Sequence, residues 1–226
     1  MSGEVLEPCV TCIRKALLEW SLEHTRSYPW RQTDDAYRVL VAEKLLQQTA
    51  VGERVVKAYT AIIERYSAPD KLAVADEDDL KLVIAPLGLC YRAAELIRMA
   101  DHLVRHHAGS VPDSLSDLVA IPGVGEYTAR AVLSFAKGRD AAVVDTNVAR
   151  FLYRVYGLPG PLPANPARHR QLRELASQLL EPGCSKRYNF AVLDLCAEVC
   201  IPRNPRCREC PVRFFCTYGL AEEQQS

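Results

Sequence analysis

Apolar residues recur along this chain at the three- and four-residue spacing that is typical of amphipathic helices. Residues 12–24 place Ile13, Leu17 and Trp20 near one face, and residues 49–66 carry a similar stripe. No run of β-branched residues alternates with polar ones, as it would in a half-buried strand. The pattern therefore predicts an all-α fold.

Capping and turn residues divide this pattern into separate helices. Asp76 is a candidate N-cap, Gly88 marks a turn, Gly109 ends a long helix, and Ser114 or Ser116 is expected to cap the segment that follows. The predicted helices are 12–24, 36–48, 49–66, a short one after residue 68, 77–84, 92–107, 127–136, 147–155, 168–180 and 189–199.

Composition limits the classes of protein that fit. The 226 residues are 49% hydrophobic, enough for one large or two small compact lobes. The apolar stretches are short and interrupted by charges, and no signal peptide is visible, so we expect an intracellular monomer (cytoplasm or nucleoid) without membrane association. The acidic tail 221–226 is expected to be disordered.

Charge is balanced overall but unevenly placed. The chain has 28 basic and 28 acidic residues, so it lacks the chain-wide basic excess of many nucleic-acid-binding proteins. Residues 121–216 contain 14 Lys and Arg against 8 Asp and Glu, whereas residues 1–120 contain 14 against 18. The second half could therefore present a basic face.

Four cysteines near the C-terminus form a C-x6-C-x2-C-x5-C array. Zinc sites usually pair short C-x2–4-C units, and disulfides need an oxidising compartment. A [4Fe–4S] cluster uses four thiolates and tolerates irregular spacing. The spacing favours the cluster and leaves zinc and disulfides open for Cys200, Cys207, Cys210 and Cys216. The other cysteines are expected to be plain or packing thiols: Cys9, Cys12, Cys90, Cys184 and Cys196.

Upstream of the array, two motifs suggest a nucleic-acid site. The glycines of Pro122-Gly123-Val124-Gly125 permit a tight hairpin between two helices, and the free N–H groups of the second helix suit a DNA phosphate. Asp145 follows an apolar run and could serve as a chemically active acid, an N-cap for the next helix, or both. An ordinary helix connection is the alternative for the hairpin.

The hairpin, the Val-Asp-Thr-Asn-Val segment and the cysteine array, in this order, resemble the helix-hairpin-helix DNA glycosylases that carry an iron–sulfur cluster. These include endonuclease III, MutY-type adenine glycosylases and archaeal-type thymine glycosylases. The resemblance covers residues 28–216. It implies a [4Fe–4S] cluster on the four cysteines and mismatched double-stranded DNA as partner.

The resemblance also implies an architecture of two helical lobes with a DNA cleft between them. The first, residues 31–137, is expected to be like a six-helix barrel and to contain the helix-hairpin-helix motif at 118–136. The second is expected to combine residues 1–30 with 138–226 and to hold the cluster loop at 200–216.

The resemblance assigns roles to individual residues. Asp145 would stabilise the sugar cation and orient or deprotonate water, and Glu43 would protonate or hydrogen-bond the extruded base. Tyr127 stands where bifunctional lyases carry a nucleophilic lysine, which implies a monofunctional enzyme without strong lyase activity. The residues expected to contact DNA are Gln47, Gln48, Leu89, Gly123, Val124, Gly125, Thr128, Arg203 and Arg206.

The base that is excised is less sharply indicated. Thr146 and Phe190 replace a glycine and a glutamine of MutY-type enzymes, and the chain ends ten residues after Cys216, without a domain that recognises 8-oxoguanine. We therefore expect thymine or uracil opposite guanine. The alternative is adenine opposite guanine or 8-oxoguanine, which Gln47 and Gln48 favour. A non-catalytic iron–sulfur DNA-binding protein or a redox protein is disfavoured because Asp145 and Glu43 are both present.

Overall fold

The computed structural model of the chain describes residues 9–49 and 51–224. All regular structure in these ranges is helical and none is strand, so the predicted all-α class is confirmed. The α-helices are α1 (Val10–His24), α2 (Ala36–Leu46), α3 (Glu53–Arg65), α4 (Pro69–Ala73), α5 (Glu77–Ile84), α6 (Arg92–His107), α7 (Leu115–Ala120), α8 (Glu126–Phe135), α9 (Thr146–Tyr156), α10 (Arg170–Leu179), α11 (Ser185–Glu198) and α12 (Thr217–Gln224).

The chain forms two compact units. Unit A contains the residues up to Arg26 and those from Arg139 onward, and unit B is Ser27–Gly138. Within the described ranges, no helix is both long and apolar enough to span a bilayer.

Unit A is organised around α9. Its apolar face, with Phe151 and Leu152 almost fully buried, packs against α1, α10 and α11 in one hydrophobic cluster. That cluster continues into the cysteine array through Val212 and Cys216. Helix α9 therefore lies between the main core of the unit and the C-terminal loop.

Unit B is organised around α2. Every residue of α2 from Val39 to Leu45 is buried, including the charged Glu43 and Lys44. Helices α3, α6 and α8 pack around it. Because α2 is surrounded on most sides, its polar residues must find partners inside the protein.

The helix boundaries correct several predictions. Helix α2 ends at Leu46 rather than residue 48, α3 begins at Glu53 rather than 49, and α11 begins four residues earlier than predicted, at Ser185. Turn geometry explains the first difference, since Gln48 takes a left-handed φ of 55° that no helix continues. Residue 50 of the predicted 49–66 helix lies outside the described residues.

The C-terminus is more ordered than its composition indicates. Residues 217–224 form α12, which corrects the expected disorder for 221–224, while residues 225 and 226 lie outside the described part. The Thr217 hydroxyl donates to the Val155 carbonyl at 3.0 Å, so the helix is fastened to the end of α9. Tertiary packing thus overrides a polar, acidic sequence.

The cysteines at the start of α1 were expected to be plain thiols, and this prediction is wrong. Cys9 and Cys12 are joined by a disulfide, and Cys9 is the N-cap residue of α1. The spacing of three residues places both sulfur atoms on the first helical turn. All other cysteines are free, including the four of the array, so the disulfide alternative for the array is also wrong.

Candidate functional site

The glycine hairpin connects α7 to α8 in unit B. Gly123 has a φ of 76°, and the Val124 N–H donates to the Ile121 carbonyl at 3.0 Å to close the turn. Val124 is buried, whereas Gly123 and Gly125 are exposed. Gly125 begins α8 without a capping side chain in the described structure, so backbone N–H groups there suit an anion.

Two predicted contact residues of this region lie within hydrogen-bond distance of each other in unit B. Thr128 is buried on α8, and its hydroxyl lies 3.4 Å from Gln47 Nε2. The same Gln47 nitrogen lies 3.4 Å from the Gly123 carbonyl oxygen. Gln47 and Thr128 therefore connect the end of α2 to the hairpin. Gln48, in contrast, is exposed at the strained turn.

The remaining candidates of unit B occupy different environments. Glu43 is only 6% exposed on α2, where sequence alone would have favoured a solvated helix charge. Tyr127 is half-buried in the first turn of α8. Leu89 is half-buried in the connection before α6. The structure thus places an acid inside the unit and an apolar residue in a surface loop.

In unit A, Asp145 is the N-cap of α9, as predicted. Its Oδ1 accepts from the Val148 N–H at 2.7 Å, and its Oδ2 accepts from Asn147 Nδ2 at 2.9 Å. The carboxylate is half-buried. Both oxygens are therefore oriented by the first turn of α9, and each keeps a lone pair for another donor.

The extended segment before Asp145 is held by side chains of α11. Asn189 accepts from the Val143 N–H at 3.2 Å and donates to the Ala141 carbonyl at 2.9 Å. Ser185 lies 3.3 Å from the Ala141 N–H. These bonds satisfy buried backbone groups that no helix or sheet pairs. No sequence motif indicated this role, because α11 contains several other polar and charged residues, among them Lys186, Arg187 and Asp194.

A chain of hydrogen bonds leads from Asp145 to the cysteine array. Asn147 donates to Asp145 and accepts from Arg150 Nη1 at 2.9 Å. Arg150 also donates to the Cys200 carbonyl, at 3.0 Å from Nε and 2.8 Å from Nη2. The sequence motifs did not indicate this role for Asn147 and Arg150, although their spacing of three places them on one face of α9.

Arg154, one turn further along α9, holds the next part of the array. Its Nη1 donates to the Ile201 carbonyl at 2.8 Å and lies 3.2 Å from Cys200 Sγ. Its Nη2 donates to the Pro202 carbonyl at 3.1 Å, and its guanidinium lies 5.0 Å from the centre of the Tyr218 ring. Two arginines of α9 therefore anchor the loop that follows α11.

The four array cysteines line one common cavity, together with Arg154 and Tyr218. Cys200 and Cys216 are buried, and Cys207 and Cys210 are half-buried. Burial and the neighbouring thiols raise the pKa of Cys210 to about 12. In the described ranges no three His, Cys, Asp or Glu side chains converge to hold a single metal ion. Four thiols spread around one cavity fit a multinuclear group, because each thiolate would bind a different metal atom.

Several arginines lie in the segment that contains the four cysteines. Arg203 and Arg206 are exposed, and Arg206 Nη1 lies 3.9 Å from Glu209. Arg206, Arg208 and Arg213 line an open pocket beside Cys207 and outnumber the two carboxylates there, those of Glu209 and Glu222. The loop therefore presents positive charge that suits phosphate groups.

Replacing Arg150 by Met is expected to lower the free energy of unfolding by about 2–3 kcal/mol, because charged hydrogen bonds to the buried Cys200 carbonyl are lost. Urea unfolding measures the change. Arg170→Met is the control, since its partner among the described residues is the exposed Glu174 on α10, and it should leave the midpoint unchanged. Equal midpoints for the two variants would contradict the anchoring role.

Comparisons with known proteins agree with this geometry. Residues 41–194 match the sequence model of the HhH-GPD superfamily base excision DNA repair proteins. A thymine-DNA glycosylase of Aeropyrum pernix is 35% identical over 92% of this chain and 95% of its own length. The adenine DNA glycosylase of Homo sapiens is 36% identical over 96% of this chain but only 41% of its own length.

Solved structures of DNA glycosylases are also similar to this chain. A thermostable thymine-DNA glycosylase superposes with a TM-score of 0.87 at 30% identity, covering 94% of this chain and 97% of that one. Endonuclease III in a non-covalent DNA complex superposes with a TM-score of 0.77 at 21% identity, covering 95% and 98%. The second likeness concerns the fold alone.

Proposed function

The chain belongs to the HhH-GPD superfamily of base excision DNA repair proteins and is a base-excision DNA glycosylase, and we propose that it removes thymine or uracil paired with guanine. The membership confirms the resemblance that the three motifs indicated. The reaction is hydrolysis of the N-glycosidic bond of a base that has been extruded from the duplex. Extrusion is least costly for a mispaired base, which favours a mismatch as substrate.

The main support for the proposed mechanism is the orientation of the Asp145 carboxylate. As the base departs, positive charge develops on the sugar, and an oriented anion stabilises that charge. The hydrogen bonds from Val148 and Asn147 hold the Asp145 oxygens in one orientation. The same carboxylate is suited to orient or deprotonate the attacking water.

Glu43 is proposed to act on the leaving base. Its burial on α2 leaves little water to compete with the base for a hydrogen bond to this side chain. A proton or hydrogen bond given to the base neutralises the charge that accumulates as the bond breaks, so the base leaves more easily. Asp145 would thus serve the sugar and Glu43 the base.

Tyr127 indicates a monofunctional enzyme. A lyase forms a Schiff base through an amine nucleophile, and a phenol cannot form one. Tyr127 lies in the first turn of α8, two residues after the hairpin glycine Gly125. We expect the product to be an intact abasic site.

DNA contacts are proposed for the exposed members of the predicted set and for the half-buried Leu89. Gln48 and Leu89 would occupy the space of the extruded nucleotide, and the exposed glycines of the hairpin would bind a phosphate through backbone N–H groups. Arg203 and Arg206 would bind further phosphates. Val124, Thr128 and Gln47 would support these contacts from inside.

We also propose that Cys200, Cys207, Cys210 and Cys216 hold a [4Fe–4S] cluster, which their common cavity supports. When bound, the cluster would cross-link the loop that carries Arg203 and Arg206. The residues that take part in hydrolysis are the carboxylates. Arg150 and Arg154 would hold the same loop from α9.

Adenine opposite guanine or 8-oxoguanine is the second candidate substrate. The human adenine glycosylase is as similar in identity as the thymine glycosylases, and the Gln47-Gln48 pair favours it. Thr146 beside Asp145 and the buried Phe190 on α11 favour thymine or uracil.

The test is a panel of duplexes that each contain one G·T, G·U, A·G or A·8-oxoguanine pair. We expect strand breaks in the G·T and G·U duplexes after alkali treatment, because alkali cleaves abasic sites, and few breaks without alkali. Excision from the adenine duplexes alone would establish the second candidate. No excision from any duplex would contradict the enzyme, and breaks without alkali would contradict the monofunctional proposal.

A further inference from the structure

Lys44 is a lysine buried within the helical core of unit B. It is 1% exposed, which is rare for lysine unless its charge is paired. Its ammonium group has three acceptors within reach: Glu95 Oε2 at 2.8 Å, Gln47 Oε1 at 3.2 Å and the Gly123 carbonyl at 3.2 Å. An ammonium has three N–H donors, so each has an acceptor.

The three acceptors belong to three different parts of unit B. Glu95 lies on α6, Gln47 at the end of α2 and Gly123 in the hairpin. The hairpin backbone closes directly over the lysine, because a Cβ added to Gly123 would lie 2.6 Å from Lys44 Nζ. Gly123 therefore meets two needs at once, a left-handed φ and close approach to a buried cation.

Lys44 also fixes the side chain of Gln47. The side-chain oxygen of Gln47, Oε1, accepts from Lys44. This turns the side-chain nitrogen Nε2 toward the Gly123 carbonyl and the Thr128 hydroxyl. Both ends of this amide are thereby bound within the protein. Gln47 works as a bridge between α2 and the hairpin, and the next residue, Gln48, is left exposed.

A second buried cation holds the other side of the same turn. Arg92, at the start of α6, donates from Nη1 to the Leu45 carbonyl at 2.7 Å and to the Thr49 hydroxyl at 2.8 Å. Gln48 lies between these anchors with its φ of 55°. A strained residue keeps its conformation only where surrounding contacts determine it strongly.

We propose that Lys44 is a positioning residue that joins the phosphate-binding hairpin and the Gln48 turn into one rigid element. When the hairpin binds a DNA phosphate, Gln48 is then held at a fixed position relative to the duplex, where it can displace the mispaired base. The inference rests on the proposed function for the roles of these two surfaces, while the rigid connection is a property of the chain itself. A buried ion pair that served only stability would be replaceable by an apolar residue of similar length.

The deciding variant is Lys44→Met, which keeps the length of the side chain and removes its charge and donors. Glu95 is 28% exposed, so its carboxylate can turn to solvent in this variant. Lys57→Met is the matched control, because Lys57 forms an exposed pair with Glu53 on α3. Gln47→Leu removes the bridging amide and provides a second route if Lys44→Met does not fold.

Two substrates distinguish a loss of Gln48 positioning from a general loss of activity. Single-turnover excision is measured for thymine in a G·T pair and for the same thymine unpaired in a bulge, where extrusion costs less. We expect Lys44→Met and Gln47→Leu to slow excision from the pair about 10–100-fold, as for groups that orient a reaction, and from the bulge only about 2–3-fold. Lys57→Met should match the unmodified protein on both substrates.

Hydrogen exchange at the hairpin provides a readout that needs no activity. The Val124 amide, which donates to Ile121, should exchange at least about tenfold faster in Lys44→Met and remain unchanged in Lys57→Met. Equal slowing on both substrates, no slowing, or unchanged Val124 exchange would overturn the proposal. If the unmodified protein excises no base, the proposed function fails, and the exchange experiment still decides whether Lys44 holds the hairpin.

Discussion

Asp145→Asn is expected to slow single-turnover excision by about 10³–10⁴-fold, the scale of effect for losing a positioned acid–base or charge-stabilising group. The neutral amide cannot stabilise positive charge on the sugar or take a proton from water. Its oxygen can still accept from the Val148 N–H, since Asn and Asp are about equally good N-caps. The free energy of unfolding and the affinity for DNA should therefore stay close to those of the unmodified protein.

The matched control is Asp76→Asn. Asp76 is the N-cap of α5 and accepts from the N–H groups of Asp78 and Asp79 at 2.9 Å each, so the substitution makes the same chemical change at the same kind of position. It should leave excision unchanged. An Asp145→Asn protein that kept activity within about tenfold would exclude Asp145 from the mechanism. A loss of thermal stability in Asp145→Asn alone would point to a structural role instead.

The sequence predicted the helical class because periodicity is a local property. Stripes such as Ile13 and Leu17 on α1 face the same core in the structure. Boundaries were less accurate where a long-range contact decides them. Helix α12 is fastened by Thr217 to the end of α9, and α11 begins early where Ser185 contacts the segment before Asp145. No local pattern contains those partners.

In the candidate site, too, residues in local motifs were predicted and residues that depend on distant partners were not. Asp145, the hairpin and the four cysteines were found from motifs, because short segments with unusual residue types carry them. Arg150 and Lys44 were missed, because their significance depends on acceptors 50 and 79 positions away in the chain. Glu43 was identified only through family resemblance, since a charged residue on an amphipathic helix is usually solvated.

Cys207→Ser is expected to remove the iron and sulfide of the proposed cluster and to lower the free energy of unfolding by about 3–5 kcal/mol, the scale at which lost structural cross-links and metals destabilise proteins. The loop between α11 and α12 contains only two short 3-10 turns, Cys207–Glu209 and Arg213–Phe215, as regular structure. Its backbone hydrogen bonds are mostly local turn bonds, such as Cys210 N–H to the Cys207 carbonyl, so the proposed cluster would supply cross-links between distant parts of the loop. Iron and sulfide analysis and urea unfolding measure the two effects.

Cys184→Ser is the control, because Cys184 is a free, exposed cysteine outside the array, and it should retain iron, sulfide and stability.

DNA affinity separates the role of the cluster from that of the carboxylates. We expect Cys207→Ser to weaken binding about tenfold or more, since Arg203 and Arg206 lose their fixed positions, and Asp145→Asn to leave binding intact. A protein that contained zinc instead of iron and sulfide would contradict the cluster assignment, although Asp145 and Glu43 would keep their proposed roles. A Cys207→Ser protein with full DNA affinity and full stability would show that Arg150 and Arg154 alone hold the loop.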